Sequence, residues 1–223
     1  MTDLTTRYIQ LVIMQGQVLN TMAMFKKPAE IQFLLKPLQE AFESGEAMKK
    51  DRKSPINHVN VITDSFQLLQ YPVFEEAKVL VDNTNEFLDM IPFNGNKIMQ
   101  KGVEKDVEWY KCIFGLSTTI RDFIKENFDK VNKWTGSDDG AQAYFEGATT
   151  PDKLNDFSSL ESGGPVAAGP AASSSSSSAP AGSAGDAIGD EFNAATSAQL
   201  AALKTAAGKI ENQTVKDAVD RHV

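Results

Sequence analysis

Apolar residues recur at helical spacing along most of this chain. In TDLTTRYIQLVIMQGQVLNTMAMF, the positions Leu4, Ile9, Leu11, Val12, Val18, Leu19, Met22 and Phe25 predict a broad, greasy helix. Thr2 or Asp3 suits its amino end, and Gly16 weakens it by up to about 1 kcal/mol relative to alanine. Lys26 and Lys27 fit the carbonyl end of that helix, and Pro28 fits the opening of the next. From residue 28 to 53 the pattern Ile31, Leu34, Leu35, Leu38, Phe42, Ala47 and Met48 continues as helix, with a kink expected over residues 33–36 ahead of Pro37. Ser54 and Pro55 restart a helix whose inner face is Ile56, Val59, Ile62 or Thr63, Phe66 and Leu69, and Tyr71-Pro72 stops it. A fourth helix turns Phe74, Ala77, Val81, Phe87 and Leu88 or Ile91 inward and ends at Pro92. The following PFNGNK reads as a tight loop, because Asn94-Gly95 readily takes positive φ.

The longest proline-free pattern covers residues 106–134. Val107, Tyr110, Phe114, Ile120, Ile124, Phe128 and Val131 gather into one stripe, while Glu108, Lys111, Arg121, Asp122, Lys125 and Glu126 fill the opposite face. At 1.5 Å per residue this helix would run roughly 40 Å, and the other helices are expected to pack around it. The reading is therefore all-α, an antiparallel bundle of five to six helices over residues 1–145. Residues 146–187 follow as a low-complexity Ser/Ala/Gly/Pro linker, with six consecutive serines from Ser173 to Ser178. Too little apolar area lies there to offset the entropy of ordering, so a flexible tether is expected. Residues 188–223 regain helical periodicity through Phe192, Leu200, Leu203, Ile210, Val215 and Val219. An alanine-rich helix of this kind is marginal alone and is expected to order on a partner.

Composition narrows the function. A net charge of -8 argues against nucleic acid or an anionic membrane as the main partner, since both require a basic footprint. Cations do cluster locally: Lys49, Lys50, Arg52, Lys53 and nearby Lys78 form either one positive patch or a solvated helix end. The single cysteine, Cys112, has no disulfide partner in the chain and fits a reducing, cytosolic compartment as a small packed side chain. The apolar run from Tyr8 is far shorter than the roughly 20 residues of a membrane span. His58 is one of two histidines and has no nearby His or Cys, so a structural role is favoured over a metal or catalytic one. Asp138 and Asp139, like Glu75 and Glu76, are adjacent and do not converge. No metal spacing, phosphate loop or Ser/His/Asp arrangement is visible; no cofactor is expected, and binding is favoured over catalysis.

Three stretches taken together resemble the amino-terminal helical domain of the adenylyl cyclase-associated proteins, which regulate actin. They are KKPAEIQFLLKPLQEAF; DRKSPINHVNVITDSFQLLQY, with Arg52, Ser54, Asn57, His58, Asp64, Ser65, Leu69 and Tyr71; and the run Val107-Glu108-Trp109-Tyr110-Lys111 followed by Ile124-Lys125-Glu126 and Trp134. The resemblance implies a non-enzymatic cytoplasmic module of the actin cytoskeleton that binds cofilin–actin, promoting filament disassembly and monomer recycling. It implies a partner surface built from Lys50, Arg52, Lys53, Asn57, His58, Asn96, Lys97, Glu108 and Lys111, with Trp109 and Trp134 as anchors or packed core. The family's preceding helix and coiled coil are not visible here. Cyclase binding and multimer formation by that route are thus not implied, and an unpaired apolar strip on the first helices would favour homo-oligomers. Serines stand where relatives carry polyproline, so profilin binding is not implied, and the family's carboxy-terminal β-domain is absent from these 223 residues. In the last segment, FNAATSAQLAALKTAAGKI loosely resembles a verprolin-type actin-binding helix, which would place Leu200, Leu203 and Lys204 on actin; a generic helix is the alternative. A helical scaffold unrelated to actin is the competing reading, and it requires Asn57, His58 and Trp109 to be buried.

Overall fold

The computed structural model describes residues 2–52, 54–74, 76–155 and 186–219. Their regular structure is helical: α1 (Thr2–Met24), α2 (Gln32–Lys50), α3 (Ile56–Phe66) with a 3₁₀ continuation (Gln67–Val73), α4 (Ala77–Lys101), α5 (Glu104–Glu126), α6 (Ala141–Ala148), α7 (Pro151–Leu154) and α8 (Asp186–Val219). An all-α bundle is what the periodicity predicts. Of residues 146–187, read from the sequence as a linker, 156–185 lie outside the described residues, as does Lys53, while the described part holds the end of α6, all of α7 and the start of α8.

The centre of the bundle is α1 rather than α5. Residues 11–22 of α1 are buried without exception, including the polar Gln15, Gln17, Asn20 and Thr21. A helix apolar on nearly every side must be enclosed on every side, and α2, α3, α6 and α8 pack around it. The apolar strip expected to lie open on the first helices is covered by α8. The alanine-rich tail is thus the bundle's own last helix, lying along α1 and α5, with Phe192, Leu200, Leu203 and Ala206 at most 1% exposed.

Several boundaries differ from the sequence reading for identifiable reasons. Helix α2 begins at Gln32, not Pro28, and carries Pro37 within it. Helix α4 runs through Pro92 to Lys101 and ends on Gly102 at φ 67°. Pro92 removes one backbone bond, but Ile91 and Ile98 on either side are buried and hold the helix together. Asn94-Gly95 is therefore helical and not a loop, and Gly95 sits where a Cβ would overlap the Tyr110 ring. Helix α5 stops at Glu126, so Phe128 is exposed instead of joining the inner stripe. Ile56, expected to face inward, is likewise exposed at the first residue of α3.

The segment after Trp134 is bound more closely than a surface tail. Thr135 N donates to Met22 O (3.0 Å) and Lys26 N to Asp138 O (2.9 Å) across the end of α1. Gly136 lies directly on the Met24–Phe25 backbone. Helices α6 and α7 then bury Ala141, Phe145, Ala148 and Leu154, with Phe145 packed edge-on to Phe33 of α2.

Candidate functional site

Successive antiparallel helices bring six chain segments to one end of the bundle: the start of α1, the end of α2, the start of α3, the end of α4, the start of α5 and the far part of α8. Three contacts fix this convergence. Trp109 Nε1 donates to Thr5 Oγ1 (3.2 Å), joining α5 to α1. His58 Nε2 lies 3.6 Å from Asp106 Oδ2, joining α3 to α5. Lys209 Nζ lies 2.6 Å from Glu108 Oε1, joining α8 to α5.

His58 and Trp109 form the floor of this end. Their rings are 5.0 Å apart between centroids, His58 is buried and Trp109 is fully enclosed. Burial pulls the His58 pKa below the ordinary imidazole value; the Asp106 carboxylate opposes that shift and the Lys101 ammonium reinforces it. Deeper in, Tyr8 OH lies 3.1 Å from Ser117 Oγ, which donates to Ser65 Oγ (3.4 Å). Ser65 in turn donates to Val61 O (2.8 Å). This chain ties α1, α5 and α3 together beneath the site and satisfies a Tyr8 hydroxyl whose pKa burial raises well above normal.

Around the floor the exposed groups are charged, with Asp51 and Glu104 among the cations. Lys50 and Arg52 stand exposed where α2 turns into α3, Asn57 is half-buried in the first turn of α3, and Asn96, Lys97 and Lys101 are exposed near the end of α4. Lys97 Nζ stands 4.0 Å from the centroid of the Phe93 ring, itself 70% exposed, a geometry in which the ring quadrupole attracts the ammonium. Asn96 and Lys97 thus act from a rigid helix and not from a loop. Glu108 and Lys111 face the edge toward α8, where a shallow depression of about 770 Å³ is lined by Gly102, Glu104, Val107, Cys112 and Lys209 as well. That edge is distinct from the His58 side of α5, since Asp106 and Glu108 are two residues apart on a helix and point away from each other.

The sequence reading missed a polar ladder between α3 and α4. Asn60 Nδ2 donates to Asn94 Oδ1 (3.4 Å), and Asn94 Nδ2 donates to Asp64 Oδ2 (3.5 Å). Burial raises the Asp64 pKa, against the lowering effect of Asn94 and of Lys49. Asn57, Asn60 and Asp64 fall at helical spacing on one face, a visible signal; the loop reading of Asn94 hid its partner. The structure also corrects two tail assignments. Leu200 and Leu203 are 1% and 0% exposed in the groove between α1 and α5, so neither can contact a partner while α8 is docked; Lys204 is half-exposed. Cys112 is half-buried with its pKa raised by burial, in keeping with packing and not with an activated thiol. Among the described residues no cluster of His, Cys, Asp and Glu could hold a metal, and no helix is long and apolar enough to cross a membrane.

The described residues form an all-helical bundle whose one end sets charged side chains around a packed His–Trp floor. A family model described as CAP, N-terminal domain matches residues 2–130, more than half of the chain, and the chain belongs to that family, the amino-terminal domain of the adenylyl cyclase-associated proteins. The family consists of non-enzymatic regulators of actin. No curated protein and no solved structure matches the chain.

Proposed function

We propose that this protein regulates actin filament turnover in the cytoplasm by binding cofilin-decorated actin and promoting filament disassembly and monomer recycling. Membership of the family supports the actin reading. The observation that carries it to a surface is the exposure of Lys50 and Arg52 at the α2–α3 turn and of Lys97 and Lys101 near the end of α4, at one end of a protein whose net charge is -8. Such a patch suits an acidic partner and acts mainly by raising the association rate. The mechanism is differential binding: a surface that fits the departing end subunit better than the seated one lowers the barrier to its release, with no chemistry required.

Labelled protein titrated with the cofilin–actin complex tests this. The Arg52→Glu, Lys97→Glu variant should bind about tenfold or more weakly while keeping its helix content and its unfolding midpoint. Equal affinity would remove this end of the bundle from the site. The scaffold reading draws on one specific observation, the burial of His58 and Trp109. Those two residues are therefore assigned to packing, and recognition is assigned to the exposed cations around them.

A further inference from the structure

Helix α8 meets the bundle through α1 and α5. Its seam against α1 is built for close approach. A Cβ on Gly16 would overlap the side-chain amide of Asn193, and one on Gly189 would overlap the Asn20 side chain and the Gly16 carbonyl. At these glycines the seam is polar: Asn20 and Asn193 are each 3% exposed. Asn20 Oδ1 and Asn193 Nδ2 have no hydrogen-bond partner. Each such group loses its water on docking and gains nothing in return. The attraction comes instead from an apolar spine, in which Phe192 stacks edge-on against Phe123 at 5.2 Å and is followed by Leu200, Leu203 and Ala206.

Helix α8 is held by a spine, opposed by its own seam and joined covalently to the rest of the chain through residues 156–185. Tethering converts a modest affinity into near-complete occupancy by raising the effective concentration to about millimolar. We infer that the groove between α1 and α5 is an exchangeable helix-binding site, occupied in cis by α8 and able to accept in trans an amphipathic, alanine-rich helix of the same pattern. That helix carries a glycine opposite Asn20, an amide opposite Gly16, an aromatic ring against Phe123, and small or leucine residues at the spacing of Leu200, Leu203 and Ala206. A helix with a side chain at the position of Gly189 clashes with Asn20, which gives the site its selectivity. The inference is independent of the actin reading.

The probe is a fluorescein-labelled peptide of residues 186–210 added to the full-length chain. Gly189→Leu places a side chain into Asn20 and expels α8 while leaving the groove unaltered, so this variant should capture the peptide about tenfold or more tightly than the wild type. Gly16→Leu blocks the groove itself and should capture none. A Gly189→Leu protein that keeps its tryptophan fluorescence yet binds the peptide no better than the wild type overturns the proposal. If Gly189→Leu fails to fold, a full-length chain with a protease site replacing residues 173–178 decides the matter. After cleavage, the carboxy-terminal fragment should leave on dilution and be replaced by labelled peptide; a fragment that stays bound through nanomolar dilution without exchange rejects the site.

Discussion

Leu203 separates a free tail helix from a helix of the core. Its side chain is fully buried between α1 and α5, so Leu203→Ala deletes apolar contacts and leaves a cavity, which in a rigid core costs about 2–5 kcal/mol. On a solvated helix the same change would be neutral within about 0.2 kcal/mol, since alanine and leucine are both strong helix formers. The docked position has one further consequence. A damaged α8 can escape by undocking, so the loss measured in global unfolding is capped at the docking free energy of α8. Any excess appears as local opening. Urea unfolding should therefore show a drop of about 2 kcal/mol or more, up to that cap, and hydrogen exchange should show loss of protection confined to α8 and the faces of α1 and α5 beneath it. Lys204→Ala, one residue on and half-exposed, should stay within about 0.5 kcal/mol of the wild type. A Leu203→Ala protein with unchanged midpoint and unchanged exchange in α8 would refute the docked assignment.

Further outcomes follow from single contacts. Gly136→Ala forces a Cβ into the Met24–Phe25 backbone and weakens the two hydrogen bonds that hold residues 135–138 to α1. It should destabilise by about 1–2 kcal/mol in urea, whereas a gain of about 0.5 kcal/mol, the usual chain-entropy effect of replacing glycine, would show that the contact is absent. Tyr8→Phe removes the hydroxyl from Ser117 and should cost about 1 kcal/mol by thermal unfolding; no change would mean that the bond contributes nothing. His58 is held neutral by burial, so its folded pKa lies below its unfolded value of about 6.5. Its contribution is fully present above that value and declines as the pH falls below it. The unfolding midpoint should fall between pH 7 and 5.5, and His58→Gln should flatten that slope; an identical slope in the variant would exclude His58 as its source.

How much of this was legible in the sequence follows from what each residue type signals. Helices stood out because Leu, Ile, Val and Phe recur at their spacing, and the cations at the α2–α3 turn stood out because charge is explicit. The sequence points to residues 106–134 as the central helix because that pattern is the longest without proline, whereas the enclosure of α1 rests on burying the polar Gln15, Gln17, Asn20 and Thr21, which periodicity does not signal. Docking of α8 was invisible for the matching reason: an alanine-rich helix carries little apolar contrast, and its fit depends on Gly16 meeting Asn193 and Gly189 meeting Asn20, pairs separated by most of the chain. Pro92 and Asn94-Gly95 are local stop signals that tertiary burial of Ile91 and Ile98 overrides. Lys97 was consequently placed on a loop, and the link from Asn60 through Asn94 to Asp64 went unseen. The placing of Lys97 and Lys101 on a helix depends on α4 running through Pro92 to its full length, which only the packing reveals.

The most direct test of the central claim is depolymerisation of single actin filaments at the pointed end with cofilin present. The wild-type protein should accelerate subunit loss, and the Arg52→Glu, Lys97→Glu variant, shown to be folded, should not. Failure of the wild type to accelerate shortening at concentrations well above micromolar would contradict the account and leave the chain a helical scaffold of the same family.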